Sequence, residues 1–223
     1  MELTHCKFCQ DQIEYEPIVG MPFTLRPSVC VTCEGIRRSE AAEALRRSRY
    51  EAWQRICPPI YQDTDPNHPS MPRSDRLAVI LNWKYGPTGL IVRGVTRLGK
   101  TRSLWMLLKR LMVEEGRTVA ALTDNQFASH CSAAYSVSSE VSELWKDELA
   151  TADVLFLDDL GKCKLTDRVE ADLFDLIETR TSNKRPIFIT TNYDGKTLLT
   201  RLSPDRGAPM IARLREFSTT LTL

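Results

Sequence analysis

Two groups of residues could do chemistry by type and spacing. Gly94-Val95-Thr96-Arg97-Leu98-Gly99-Lys100-Thr101 satisfies G-x-x-x-x-G-K-[ST]. Glycines at its first and sixth positions let the backbone curl so that its N–H groups converge on anionic oxygens. A helix opening at the second glycine adds the positive end of its dipole. Lys100 then reaches the β- and γ-phosphates of a nucleoside triphosphate, and the Thr101 hydroxyl reaches Mg²⁺. The expected nucleotide contacts are Gly94 through Thr101, with Arg102 next on the helix. The second group is Cys6-x2-Cys9 and Cys30-x2-Cys33, which reads C-x2-C-x20-C-x2-C. Four thiolates so spaced suit a closed tetrahedral Zn²⁺ site, structural rather than catalytic because protein fills every position. His5 is a lesser substitute ligand. Cys57, Cys131 and Cys163 read as ordinary thiols.

Further along, Val154-Leu155-Phe156-Leu157 is an apolar run ending in Asp158-Asp159. An acidic pair after a strand is a weak signal by itself, since turns also favour aspartate. Downstream of a phosphate loop it is a strong one. One carboxylate can hold the water shell of Mg²⁺ and the other can orient or deprotonate an attacking water. Asp158 is assigned to the metal and Asp159 to the water. Ile187-Phe188-Ile189-Thr190-Thr191 ends in Asn192, and ligands of open parallel sheets sit beyond the carboxyl ends of strands. Asn192 is either a γ-phosphate sensor or a turn residue before Tyr193-Asp194-Gly195.

The elements that position these residues follow from pattern. Short apolar runs at 90–92, 119–122, 154–157, 186–191 and 219–223 alternate with helical spacing. Examples are Leu104, Leu107, Leu108 and Leu111 before Gly116, and Leu173, Leu176 and Ile177. Residues 124–149 read as mostly helical with a break near 136–139. Strand–helix alternation predicts an α/β fold with a parallel five-stranded sheet covered by helices. Glu34–Arg55 reads as a charged helix that Cys57-Pro58-Pro59 ends, and Asp65–Pro69 as an extended linker. Alternation at Phe23 and Leu25 suggests a small ribbon between the cysteine pairs, one with too little core to fold without metal. The predicted division is a zinc ribbon at 1–35, a helix and linker at 36–72, and the α/β domain at 73–223.

Composition bounds the partners. The 223 residues are 42% hydrophobic and 26% charged with a formal net charge of +1, so nucleic-acid binding would need a local patch. No apolar run approaches the ~18 residues of a membrane span, and the N-terminus lacks a signal-peptide pattern. A cytoplasmic protein without membrane contact is expected, and its seven cysteines then do not form a disulfide framework. Arg37, Arg38, Arg46, Arg47, Arg49 and Arg55 share the first helix with Glu34, Glu40, Glu43 and Glu51. They form either a solvated face of i,i+4 pairs or a contact for phosphates or an acidic partner.

The phosphate loop, Leu157-Asp158-Asp159-Leu160-Gly161 and Arg185-Pro186-Ile187-Phe188-Ile189-Thr190-Thr191-Asn192 resemble the Walker A, Walker B and sensor 1 segments of AAA+ helicase loaders of the DnaC/IstB type. Met210-Ile211-Ala212-Arg213-Leu214-Arg215 resembles their arginine-finger segment. The resemblance covers roughly Leu77 to Leu223, and no helical lid or sensor 2 arginine is expected. It implies an AAA+ core that binds and hydrolyses ATP with Mg²⁺ and self-associates, with Arg213 completing a neighbour's site and Arg206 and Arg215 as alternatives. It also implies a replicative helicase and single-stranded DNA as partners, the N-terminal region gripping the helicase and the ATPase domain binding the single-stranded DNA. Arg97 and Leu98 depart from the small residues common in this loop, and Asp159 stands where many AAA+ proteins carry Glu; both point to slow hydrolysis. Two other readings stay open: an IstB-like transposition ATPase, and a zinc-ribbon adaptor that binds ATP without efficient turnover. A P-loop kinase of small substrates fits less well, because no acceptor-binding insertion is evident.

Overall fold

A computed structural model of the protein describes residues 1–16, 26–133, 139–163 and 165–223. The chain forms two compact units, Met1–Arg49 and Tyr50–Leu223. In the first, β1 (Glu2–His5) and β2 (Gln12–Tyr15) pair antiparallel, with Glu2 opposite Tyr15 and His5 opposite Gln12. The first cysteine pair occupies the turn between them. The Cys6 N–H donates to the Asp11 carbonyl at 2.9 Å and the Gln10 N–H to the Cys6 carbonyl at 3.0 Å. The alternation read at Phe23 and Leu25 lies outside the described residues. Helix α1 (Val31–Ile56) begins three residues before the sequence pattern suggests, which places Cys33 in its first turn.

The second unit begins in the last turns of α1, where Trp53 and Cys57 enter its core. There follow α2 (Pro59–Gln62), α3 (Asp75–Leu81), β3 (Gly89–Arg93), α4 (Lys100–Val113), β4 (Val119–Thr123) and α5 (Asp124–Ala133). Then come α6 (Ser139–Thr151), β5 (Val154–Asp158), α7 (Asp167–Ser182), β6 (Ile187–Thr191), α8 (Gly195–Leu199), α9 (Pro204–Glu216) and β7 (Ser218–Thr222). The break read near 136–139 falls mostly outside the described residues. The five long strands are ordered β4-β5-β6-β3-β7, all parallel, as the alternating pattern predicts. Both faces of the sheet are covered, so the central strands are apolar over most of their length and turn polar only at their carboxyl ends. Leu155 and Leu157 enter a core with α5 through α9, while Val154 and Phe156 point the other way into a core with α4.

Asp65–Pro69 is not an extended linker. It is folded into turns in which the Asn67 N–H donates to Asp65 Oδ1 at 2.6 Å and the Met71 N–H to the His68 carbonyl at 2.9 Å. Thr64 and Met71 on either side are buried. Prolines pre-set turn dihedrals as readily as extended ones, and an apolar partner decides between the two. Among the described residues, no helix is long and apolar enough to cross a membrane.

Candidate nucleotide and metal sites

The phosphate loop joins β3 to α4. Gly99 sits at φ +77°, and a Cβ there would lie 2.3 Å from the Ser70 carbonyl oxygen. Gly94, at φ +150°, would place a Cβ 2.6 Å from the Leu223 carbonyl. Both positions exclude a side chain, so the loop can curl only with glycine. Arg97 also lies in the left-handed region, at φ +67°.

Lys100 is almost fully buried. Its Nζ donates to the carbonyls of Gly94 at 2.9 Å and Val95 at 2.8 Å, and to Asn192 Oδ1 at 2.8 Å. Burial lowers its affinity for the proton, and Asp159 and Asp158 oppose that. The Thr101 hydroxyl donates to Asp158 Oδ1 at 2.8 Å, and the Thr190 hydroxyl donates to the same oxygen at 2.5 Å. Burial raises the Asp158 carboxyl above its ordinary range against these two bonds. A hydroxyl and a carboxylate converging beside a phosphate loop are the oxygen donors that suit hydrated Mg²⁺. Asp159 adopts φ +59°, its N–H donates to Thr190 Oγ1 at 2.8 Å, and its carboxylate pairs with Lys162 at 3.3 Å.

Lys100, Thr101 and Asp159 border a cleft of about 460 Å³ lined by residues 96–102, Asp159, Asn192, Ile60, Tyr61 and Ser70, and Asp158 reaches it through its bond from Thr101. Lys100, Thr101, Asp158, Asp159 and Asn192 are thus brought together. Arg102 lines the cleft too, but its guanidinium is held by Asp63 Oδ1 at 2.8 Å, Thr64 Oγ1 at 2.6 Å and the Ile60 carbonyl at 2.6 Å. Arg213 is not among the lining residues and pairs with Glu178. The sequence reading missed Thr190, which bonds both aspartates, and the cleft wall from α2. The polar end of β6 was a signal for Thr190. No local pattern marks Tyr61.

In the first unit, the ligand atoms of Cys6, Cys9, Cys30 and Cys33 all lie within 4.8 Å of one another. Backbone N–H groups of Cys9 and Cys30 draw the Cys6 thiol down to about 6, while the Cys9 and Cys33 thiols are pushed up. Four soft sulfurs at this spacing fit Zn²⁺.

The parallel sheet with a phosphate loop after β3, an acidic pair ending β5 and a polar residue after β6 form a P-loop α/β core, the fold that AAA+ proteins share. Similarity to known proteins agrees at the level of fold. The chain is 26% identical over 114 residues to the chromosomal replication initiator protein DnaA of Campylobacter curvus, a stretch that is 51% of this chain and 25% of that protein. The DnaC helicase loader matches with a TM-score of 0.59 at 21% identity, over 73% of this chain and 95% of that one. AMPPCP-bound DnaA from Aquifex aeolicus matches with a TM-score of 0.56 at 18% identity, over 68% of this chain and 47% of that one. The chain thus spans a quarter to a half of the DnaA proteins it matches. No family model matches the sequence.

Proposed function

We propose that the protein is a Mg²⁺-dependent ATPase that acts in DNA replication by placing a replicative helicase on single-stranded DNA, working as an oligomer. The observation that carries this reading is the convergence of Lys100, Thr101, Asp159 and Asn192 on one cleft at the carboxyl ends of parallel strands, with Asp158 bonded to the lining Thr101. The likeness in fold to the DnaC helicase loader and to AMPPCP-bound DnaA supports it.

In this reading Lys100 exchanges the loop carbonyls and Asn192 for β- and γ-phosphate oxygens, and the loop N–H groups complete the cradle. Thr101 and Asp158 hold Mg²⁺, which supplies positive charge to the phosphates when bound. Asp159 orients or deprotonates the attacking water, held in place through its N–H bond to Thr190. Asn192 reports the γ-phosphate. Arg213 serves a neighbouring subunit. In the first unit, Cys6, Cys9, Cys30 and Cys33 hold a structural Zn²⁺. ATPase assays with and without single-stranded DNA, with co-precipitation of a replicative helicase, test the reading. No turnover under either condition, or no helicase in the precipitate, would overturn it. Binding with little turnover is a second reading, supported by the Lys162–Asp159 ion pair, which holds the carboxylate needed for water.

A further inference from the structure

Phe8 lies between two zinc-site cysteines, yet its side chain is turned outward and is 52% exposed. Two cations lie over its ring. Lys7 Nζ is 5.3 Å from the centroid and Arg37 Cζ, from α1, is 4.9 Å away. The backbone beneath is pinned, because the Lys7 N–H donates to the Ser28 carbonyl at 3.0 Å and the Gln10 N–H to the Cys6 carbonyl at 3.0 Å. The neighbouring cation Arg38 is engaged with Glu34 at 2.6 Å, and Asp11 accepts from the Cys9 thiol at 3.1 Å. Lys7 and Arg37 therefore carry the positive charge at the ring.

We infer that Phe8, Lys7 and Arg37 form a seat for single-stranded nucleic acid, in which a base stacks on Phe8 and the flanking phosphates pair with the two cations. An exposed aromatic ring bracketed by cations is the arrangement that binds unpaired bases without regard to sequence. A protein partner would instead favour an anchor sunk in an apolar pocket, whereas the Phe8 ring is half exposed under the two cations Lys7 and Arg37. The seat belongs to the unit without the phosphate loop. Its loss would leave the ATPase reading untouched, and ATP turnover of each variant distinguishes the two.

The test uses the full zinc-loaded chain without nucleotide and a labelled twenty-residue oligothymidylate, with an abasic oligomer of equal length as the control. Fluorescence anisotropy should show Phe8→Ala binding oligothymidylate about tenfold more weakly, with abasic binding and zinc content unchanged. Phe8→Trp should restore affinity and show quenched emission on binding. Lys7→Gln with Arg37→Gln should weaken both ligands and flatten the salt slope by about 1 to 1.5. Wild-type affinity in Phe8→Ala, or equal losses for the two oligomers, would overturn the proposal. So would loss of helicase co-precipitation in Phe8→Ala with DNA affinity intact, which would make the ring a protein contact.

Discussion

Arg213 donates through Nε and Nη2 to the two carboxylate oxygens of Glu178 at 2.7 and 2.8 Å, tying α9 to α7. The pair holds the Glu178 carboxyl below its ordinary range, mainly through these hydrogen bonds. Both side chains remain about a third exposed, so solvent screens the pair and it holds Arg213 only weakly. Transition-state charge on a transferred phosphoryl group can compete for Arg213 against so weak a partner. Arg213→Ala is expected to lower ATP turnover in the assembled protein by ~10³-fold or more. Mixing Arg213→Ala with Lys100→Ala should restore part of it at interfaces that pair an intact loop with an intact arginine. Full activity of Arg213→Ala in the assembled state would rule out its action in trans.

The same pair sets a pH dependence. The folded pKa of Glu178 is depressed, so its stabilisation is present above the unfolded pKa of ~4.3 and is lost as pH falls through the folded value. Glu178→Gln should be less stable than wild type at pH 7, and the difference should close in acid below about pH 4. Urea titrations at several pH values measure this. A difference independent of pH would show that the carboxylate charge is irrelevant.

Lys100 and Asp159 should separate binding from turnover. Lys100→Ala removes the direct countercharge to the β- and γ-phosphates and leaves Asn192 Oδ1 without its 2.8 Å donor. Calorimetry is expected to find no tight ATP binding. Asp159→Asn keeps the N–H bond to Thr190, so affinity should hold while turnover falls. Undiminished turnover would remove Asp159 from the role of water base.

The legible parts of this protein are those where chemistry or burial dictates residue type at fixed spacing. A phosphate loop needs Gly94, Gly99 and Lys100 where they stand, and a doubly covered sheet needs unbroken apolar runs such as Val154–Leu157. The cleft wall was not legible, because it depends on residues far apart in sequence meeting in space. Asp63 and Arg102 are 39 positions apart, and neither flank signals the other. The hairpin of the first unit was missed for a different reason. Its strands are four residues each and largely exposed, so they carry little hydrophobic alternation.

Metal removal should act on one unit alone. All four tryptophans, Trp53, Trp83, Trp105 and Trp145, lie in Tyr50–Leu223, which has its own apolar cores. One zinc per chain is expected in protein purified without chelator. Its removal should alter the far-ultraviolet dichroism of the first unit while tryptophan emission stays native. Absence of metal, or a parallel shift in emission, would contradict this.

Arg97 holds a left-handed backbone at φ +67° that costs a side-chain-bearing residue ~1 kcal/mol or more. Glycine avoids that cost but loses more entropy on folding. Arg97→Gly should therefore leave stability unchanged or raise it by up to ~1 kcal/mol. Thermal melting decides, and a clear loss of stability would mean that the Arg97 side chain holds the loop.

Arg180 is the most deeply buried cation of the second unit, and among the described residues no carboxylate forms a salt bridge with it. Its guanidinium donates to carbonyls of Leu149 at 2.7 Å, Ala152 at 3.0 Å and Pro186 at 2.9 Å, with longer bonds to Ala150 and Asp153. One side chain thus closes the end of α6 and the segments that lead into β5 and β6. Burial, with Arg185 adding to it, pulls its pKa down to about 10, which still leaves it charged at neutral pH. Leucine would fill much of the volume but strand these carbonyls without donors, and each stranded buried acceptor costs ~1–3 kcal/mol. Arg180→Leu is expected to destabilise the protein by at least ~3 kcal/mol in urea. Arg180→Lys should recover only part, because an ammonium has three donors and cannot span the carbonyls as a planar fork does. If leucine proves neutral, the carbonyls find water, and the arginine is not what joins these elements.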